Sequence, residues 1–264
     1  MNPLLFHIYG PFAVHWYGLM IAIGAGFALW RVRAEFLAQN LMPDKLFSRF
    51  VLYTLIAGFI GAKALQIFEL FMTGQGINEN TSIFGGFSVL GAIAAIAVFF
   101  MFFARMHHLK TLRITDICAQ WTPLVQAFTR IGCFIAGCCN GCPTSLPWAV
   151  TYTHPDSLAM PMHTPVHPTQ LYSAAMLLII WALLQWIGRP SHKIAPGTLT
   201  LLYFLCAFTE RFVLDFWRAD ASVAGHALTF MQWVALAGIC GVVSVFVILK
   251  IYYKIQIENN NKKI

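Results

Sequence analysis

The sequence predicts an all-α integral membrane protein with seven transmembrane helices, on three observations. Only 10% of its 264 residues are charged, 59% are hydrophobic, and the apolar residues gather in seven stretches long enough to cross a bilayer. A soluble domain carries about a quarter charged residues, and a tenth cannot cover a water-facing surface. A hydrocarbon core of roughly 30 Å takes about 20 helical residues, and helices satisfy their own backbone groups there. The spans fall near 12–30, 50–72, 84–104, 112–129, 168–188, 196–215 and 228–250. No hydrophilic stretch is long enough for a separate soluble domain, so residues 1–264 are expected to form one polytopic membrane domain.

The opening segment MNPLLFHIYGPF has neither a basic region nor a small-residue cleavage site, so the first span is expected to remain as a helix. It begins HWYGLM, which puts His15, Trp16 and Tyr17 at the outer boundary, where aromatic rings ordinarily anchor. The second span holds Lys63. The third begins FGGFSVLGAIAA, whose Gly85, Gly86 and Gly91 permit close helix packing. The fourth ends at Arg130, which opens the longest loop, 130–167. Gly132, Gly137 and Gly141 in that loop suggest backbone packed tightly against protein or lining a cavity. The sixth span ends ERFVLDFWRAD, where helical spacing puts Arg211, Asp215 and Arg218 on one face.

The loops after the first, third, fifth and seventh spans carry Arg31, Arg33, Lys45 and Arg49; Arg105, Lys110 and Arg113; Arg189 and Lys193; and Lys250, Lys254, Lys262 and Lys263. Basic residues mark the cytoplasmic side, so the N-terminus lies outside (periplasmic) and the C-terminus is cytoplasmic. The net charge of +7 is therefore orientation charge, and no nucleic-acid partner is expected. Only Lys63, Arg130, Arg211 and Arg218 escape the pattern. A basic residue at the bilayer centre costs about 2.5–3.5 kcal/mol. Two readings follow: Arg211 and Arg218 neutralise Glu210, Asp215 and Asp220 while Arg130 snorkels, or the bases form an outer-leaflet pocket for an anion, of which the commonest large one is a phospholipid head group.

The loop segment RIGCFIAGCCNGCP carries Cys133, Cys138, Cys139 and Cys142. Cys139 and Cys142 form a CxxC, but structural zinc sites usually pair two such couples. His154, His163 and His167 add no known ligand spacing, so neither a metal nor a cofactor is expected. A disulfide in an outward-facing loop is the more natural alternative, and Cys118, Cys206 and Cys240 read as packing residues in apolar spans.

HWYGLM at 15–20, RIGCFIAGCCNGCPT at 130–144, HPTQLYSA at 167–174 and RFVLDFWR at 211–218 together resemble the bacterial prolipoprotein diacylglyceryl transferase family. The resemblance implies a multi-pass protein of the bacterial inner (plasma) membrane. It implies transfer of the diacylglyceryl group of phosphatidylglycerol to the lipobox cysteine thiol of preprolipoproteins, with release of glycerol 1-phosphate. Phosphatidylglycerol, preprolipoprotein signal peptides and membrane lipids would be the partners. By the same resemblance Arg130 falls on the arginine that binds the head group, Gly141 on the closing glycine of the signature, Arg211 on a second essential arginine and Asp215 on the acid one turn later. Tyr17 falls on a tyrosine lining the site, Lys63 takes the place of a basic residue, and Arg218 joins the head-group set. Cys133 and Ala136 stand where the family has asparagine, Cys138 where it has glutamate, and Leu90 where it has a histidine.

A thiolate must attack the glyceryl carbon while a phosphate leaves, and fixed guanidinium groups stabilise the developing charge. Arg130 is accordingly cast as head-group clamp and Arg211 as stabiliser oriented by Asp215. The acceptor thiol, ordinarily near pKa 8.5, is expected to be activated by the positive field, with His15 and His167 as candidate bases. Two alternatives stand beside this reading: a divergent paralogue that binds phospholipid but uses another acceptor or none, and a membrane thiol redox protein built on Cys138, Cys139 and Cys142.

Overall fold

A computed structural model describes residues 2–9, 12–72, 87–192, 194–218 and 228–261. Among them are seven α-helices: α1 (Trp16–Ala38), α2 (Asp44–Met72), α3 (Val89–Met106), α4 (Thr111–Ala136), α5 (Thr169–Ile187), α6 (Thr198–Leu214) and α7 (Phe230–Asn261). Each covers one of the seven apolar stretches. Four are long and apolar enough to cross a membrane: α2, α3, α5 and the Phe230–Ile248 part of α7.

The fold is all-α as expected, with two short hairpins beside the helices: β1 (Leu4–Tyr9) pairs antiparallel with β2 (Phe12–His15), and β3 (Val150–Thr151) with β4 (Pro165–Val166). The structure corrects the sequence-based picture in three places. Residues 12–15, expected in the first span, are therefore strand. The fourth helix does not stop at 129 but runs to Ala136, so Arg130 is helical and the long loop begins at Gly137. Arg218 does not share a helix face with Arg211 and Asp215, because α6 ends at Leu214, a single 3₁₀ turn follows at Asp215–Trp217, and Arg218 is extended (φ −81°, ψ 137°). Gly85, Gly86, Lys193, Asp220, Lys262 and Lys263 lie outside the described residues.

The chain divides into two compact units, Met1–Val32 with Thr115–Ile264, and Arg33–Ile114. In the second, α2 and α3 cross where Gly61 meets Gly91. A Cβ on Gly61 would lie 2.5 Å from the Gly91 carbonyl oxygen, so the crossing is backbone against backbone. Arg33 grips Asp44 through Nε at 2.6 Å and Nη2 at 2.8 Å, closing the α1–α2 turn above an edge-on Phe36–Phe47 pair.

In the first unit, Ala119 and Ala127 of α4, Leu177, Ile180 and Leu184 of α5, and Leu199 and Tyr203 of α6 form the core. Asp116 of α4, 3% exposed, fastens the start of α6. It accepts hydrogen bonds from the backbone N–H of Gly197 (2.6 Å) and from the N–H and hydroxyl of Thr200 (both 2.9 Å). The first-turn donors of a helix have no partner within the helix, and a carboxylate there also meets the positive end of the helix dipole. Gly197 supplies the left-handed residue (φ +91°) that begins the helix.

Candidate functional site

The site is built around the end of α4. Gly137 (φ +84°) and Cys139 (φ +60°) both adopt left-handed backbone, and this turns the chain back over the helix it has just left. A second hand of contacts then fastens the returning loop. Thr169 donates its hydroxyl to the Cys139 carbonyl (2.8 Å) and Gln170 its amide to the Cys138 carbonyl (2.8 Å), so the first turn of α5 holds both vicinal cysteines. The Gly141 N–H donates to the His167 carbonyl (2.9 Å) and the Cys142 N–H to the Trp217 carbonyl (2.8 Å). Gly141 thus sits in an antiparallel bridge with Arg218, and the Cys142 thiol reaches the Arg218 carbonyl at 3.4 Å. A Cβ at position 141 would come within 2.5 Å of the Trp217 carbonyl oxygen and 2.6 Å of His167 Cβ. Only glycine fits.

This stitching gathers the basic residues that orientation left unexplained. Arg130, Arg211 and Arg218 all lie within electrostatic reach of buried Glu210, whose carboxylate accepts the Ser173 hydroxyl. Arg211 pairs with Asp215 at 3.0 Å, one turn on, and Asp215 also accepts the Thr229 hydroxyl. Asp215 is 3% exposed and Arg218 9%, so both charges are held inside the protein. Tyr17 packs on α4 at Gly132, where a Cβ would stand 3.1 Å from the Tyr17 Cα, and it lies within electrostatic reach of Arg130. His15, Tyr17, Ala136 and Cys138 share a cavity of about 740 Å³.

His167 is set apart from that cavity by its own partners, since its Nδ1 lies 3.4 Å from the Tyr172 hydroxyl, which in turn accepts from Trp148 at 2.7 Å. Lys63 belongs to the second unit, where it donates to Gln66 (3.0 Å) and stands 4.5 Å above the Phe87 ring. Leu90 opens α3 in that same unit with its side chain exposed. All seven cysteines are free thiols. The Cys139 thiol is driven well below the ordinary thiol range, first by a hydrogen bond from Cys133, then by one from Cys138, with Arg218 and Arg130 adding favourable charge. Burial pushes the Tyr152 phenol up to about 12, while its hydroxyl donates to the Phe134 carbonyl at 3.0 Å.

Sequence reasoning missed the polar face of α5. Thr169, Gln170 and Ser173 are all buried, and each holds a residue of the site. The signal was a cluster of amide and hydroxyl residues opening an otherwise apolar span, where such groups persist only with partners.

The profile of the prolipoprotein diacylglyceryl transferase family matches residues 3–248, nearly the whole chain. The chain belongs to this family. Among its relatives, a phosphatidylglycerol–prolipoprotein diacylglyceryl transferase of Clostridium tetani is 30% identical over 251 residues, covering 94% of this chain and 96% of the relative. One of Finegoldia magna is 30% identical over 269 residues and covers both chains completely. One of Idiomarina loihiensis is 29% identical over 249 residues, covering 89% and 88%. Within the transferase family, this member carries Arg130 on the last turns of α4 and Gly141 in a bridge to Arg218.

Proposed function

We propose that this protein transfers the diacylglyceryl group of phosphatidylglycerol to the thiol of the lipobox cysteine of preprolipoproteins, the first step of bacterial lipoprotein maturation. The observation that carries the proposal is the fastening of the family's signature loop to Arg218 beside Arg130 and Arg211, three guanidinium groups gathered with the buried carboxylates of Glu210 and Asp215. Fixed guanidinium groups suit a phosphate, whose oxygens can accept two parallel hydrogen bonds from one arginine, so an anionic head group fits this pocket. In the bilayer all seven helices cross, with the N-terminus periplasmic and the C-terminus cytoplasmic, a reading that the distribution of Lys and Arg supports. The setting is the bacterial inner membrane and the acceptor arrives on a preprolipoprotein signal peptide.

The roles follow from charge and position. Arg130 clamps the phosphate, and Tyr17 and Gly141 shape its surroundings, Gly141 by letting the loop lie flat against Arg218. Arg211, held by Asp215, stabilises the charge that grows on the phosphate oxygen as the glyceryl carbon–oxygen bond breaks and the carbon–sulfur bond forms. Glycerol 1-phosphate leaves. The acceptor thiol loses its proton in the positive field of the arginines, and His15, which opens onto the same cavity as Tyr17, receives it. A field-driven deprotonation does not require the histidine that Leu90 replaces.

Complementation of a strain depleted of its own diacylglyceryl transferase tests this. Wild type restores growth and Arg130→Ala does not, although both reach the membrane. With purified protein, phosphatidylglycerol and a lipobox peptide yield a thioether-linked product. Head-group binding by the wild type without any thioether in vitro would favour a non-catalytic paralogue instead.

A further inference from the structure

The Sγ atoms of Cys133, Cys138 and Cys139 all lie within 4.8 Å of one another, the only such three-thiol cluster among the described residues. In the linear sequence these residues read C-x₄-C-C and fit no zinc pattern. The fold makes the cluster by reversal at Gly137: the Gly137 N–H closes the helix on the Cys133 carbonyl at 2.9 Å, and the left-handed residues then carry the vicinal pair back over the Cys133 side chain.

We propose that Cys133, Cys138 and Cys139 form a binding site for a soft, thiophilic metal ion, with Cu(I) in three-thiolate coordination as its occupant. Three sulfurs at about 2.3 Å from a shared ion in one plane stand roughly 4.0 Å apart, inside the separation seen here. Sulfur-only donors select soft ions, and Cu(I) is satisfied by three ligands, whereas Zn²⁺ ordinarily takes four. All three sulfurs bind as thiolates, with the protons of those still in the thiol form released to solvent, and no oxidation state changes. The resulting centre carries two net negative charges, and basic residues flank it: Arg130 precedes Cys133 by one turn of α4, and Arg218 is bridged to Gly141, two residues beyond Cys139.

The supporting shell is already in place. The Cys138 and Cys139 carbonyls are held by Gln170 and Thr169, and the Cys133 carbonyl by Gly137, so the ligand-bearing backbone is fixed before any ion arrives. A route in also exists, because Cys133 is 5% exposed whereas Cys138 opens onto the 740 Å³ cavity. The site goes beyond the proposed transferase reaction and does not depend on it.

The test uses the full chain in detergent, reduced and kept anaerobic, titrated with Cu(I) against a chromophoric chelator and, separately, with Zn²⁺. The expected result is one tightly held Cu(I) with three sulfur neighbours by X-ray absorption. On the wild type alone, that ion should shield Cys133, Cys138 and Cys139 from maleimide while Cys240 reacts at its unliganded rate, a readout independent of any variant's folding. Cys133→Ser should weaken binding by roughly 10–100-fold or more, and Cys240→Ser should leave it unchanged. The proposal is overturned by absence of a stoichiometric ion, by nitrogen or oxygen coordination, by equal labelling of the three thiols with and without Cu(I), by tighter binding of Zn²⁺ than Cu(I), or by unchanged affinity in Cys133→Ser.

Discussion

Replacing Gly141 with alanine adds one methyl group where there is no room for it. The new Cβ would meet the Trp217 carbonyl oxygen at 2.5 Å, His167 Cβ at 2.6 Å and Thr169 Cγ2 at 2.8 Å. None of these is the far end of a flexible side chain: one is backbone, one is a Cβ, and the third belongs to the threonine that holds the Cys139 carbonyl. The strain must be relieved by moving the loop away from residues 217 and 218, which stretches the Gly141 bond to His167 and the Cys142 bond to Trp217. Overpacking of this kind costs about 1–3 kcal/mol, and rigid neighbours on three sides place the cost in the upper part of that range. At roughly 2–4 °C per kcal/mol for a chain of this size, Tm should fall by about 4–12 °C. Thermal unfolding in detergent micelles, followed by a thiol-reactive dye, measures it. Gly26→Ala and Gly241→Ala are the controls, since a Cβ at either meets nothing within 4 Å and alanine in a helix interior gains roughly 0.5–1 kcal/mol over glycine. Diacylglyceryl transfer at a temperature where Gly141→Ala is fully folded should still fall, because Arg218 is displaced. A Gly141→Ala protein that melts within about 1 °C of the wild type and transfers at the wild-type rate would refute the reasoning.

Asp116→Asn keeps the shape of the α6 cap but removes its charge and turns an NH₂ toward backbone donors, and should cost about 1–3 kcal/mol, read as a lower Tm. Asp215→Asn removes the counter-charge 3.0 Å from Arg211; we expect a loss of about 1.5–3 kcal/mol and a fall in kcat of roughly 10–100-fold, with KM for phosphatidylglycerol changing less. For Tyr152, the folded pKa of about 12 lies above that of a free phenol, so its stabilising contribution is present below about pH 10 and is lost as pH rises toward 12. Unfolding at stepped alkaline pH should therefore show the wild type losing stability faster over that window than Tyr152→Phe, which begins about 1 kcal/mol less stable for want of its bond to the Phe134 carbonyl.

All seven helices were legible as apolar stretches, and four of them, α2, α3, α5 and part of α7, are long and apolar enough to cross a membrane. Boundaries were less so. Arg130 read as the end of a span because a charge usually ends one, yet the helix continues through six further residues that are mostly apolar and stops where Gly137 can turn left-handed. The unusual placement of Arg130 and Arg211 was visible in the sequence, since both stand outside the loops that hold most of the other bases. The position of Arg218 was not, because the switch from helix to 3₁₀ turn to extended chain is driven by a bridge to Gly141, a partner far away in sequence. Asp116 left a readable trace, a lone acid in an apolar stretch, but its role depended on the start of α6, which only the tertiary fold brings near. The three-thiol cluster was hidden for the opposite reason: its members are close in sequence, but ligand templates assume loops and not a helix end folded back on itself.

The bridge between the signature loop and Arg218 also sets the order in which the protein can be completed. Cys142 and its partner at Arg218 are separated by 76 residues, which a ribosome takes roughly 4–15 s to add at about 5–20 residues per second. During that interval α4 and its arginine are already made, while the loop that follows has no strand to lie against. A chain truncated after α5 would therefore hold Arg130, Cys133 and the three loop cysteines without a closed pocket, and newly made protein would pass through a stage in which those thiols are open to oxidants and trapping reagents. Pulse-labelling with a membrane-impermeant thiol reagent during synthesis would catch this stage, and protection would begin only once α6 had been delivered.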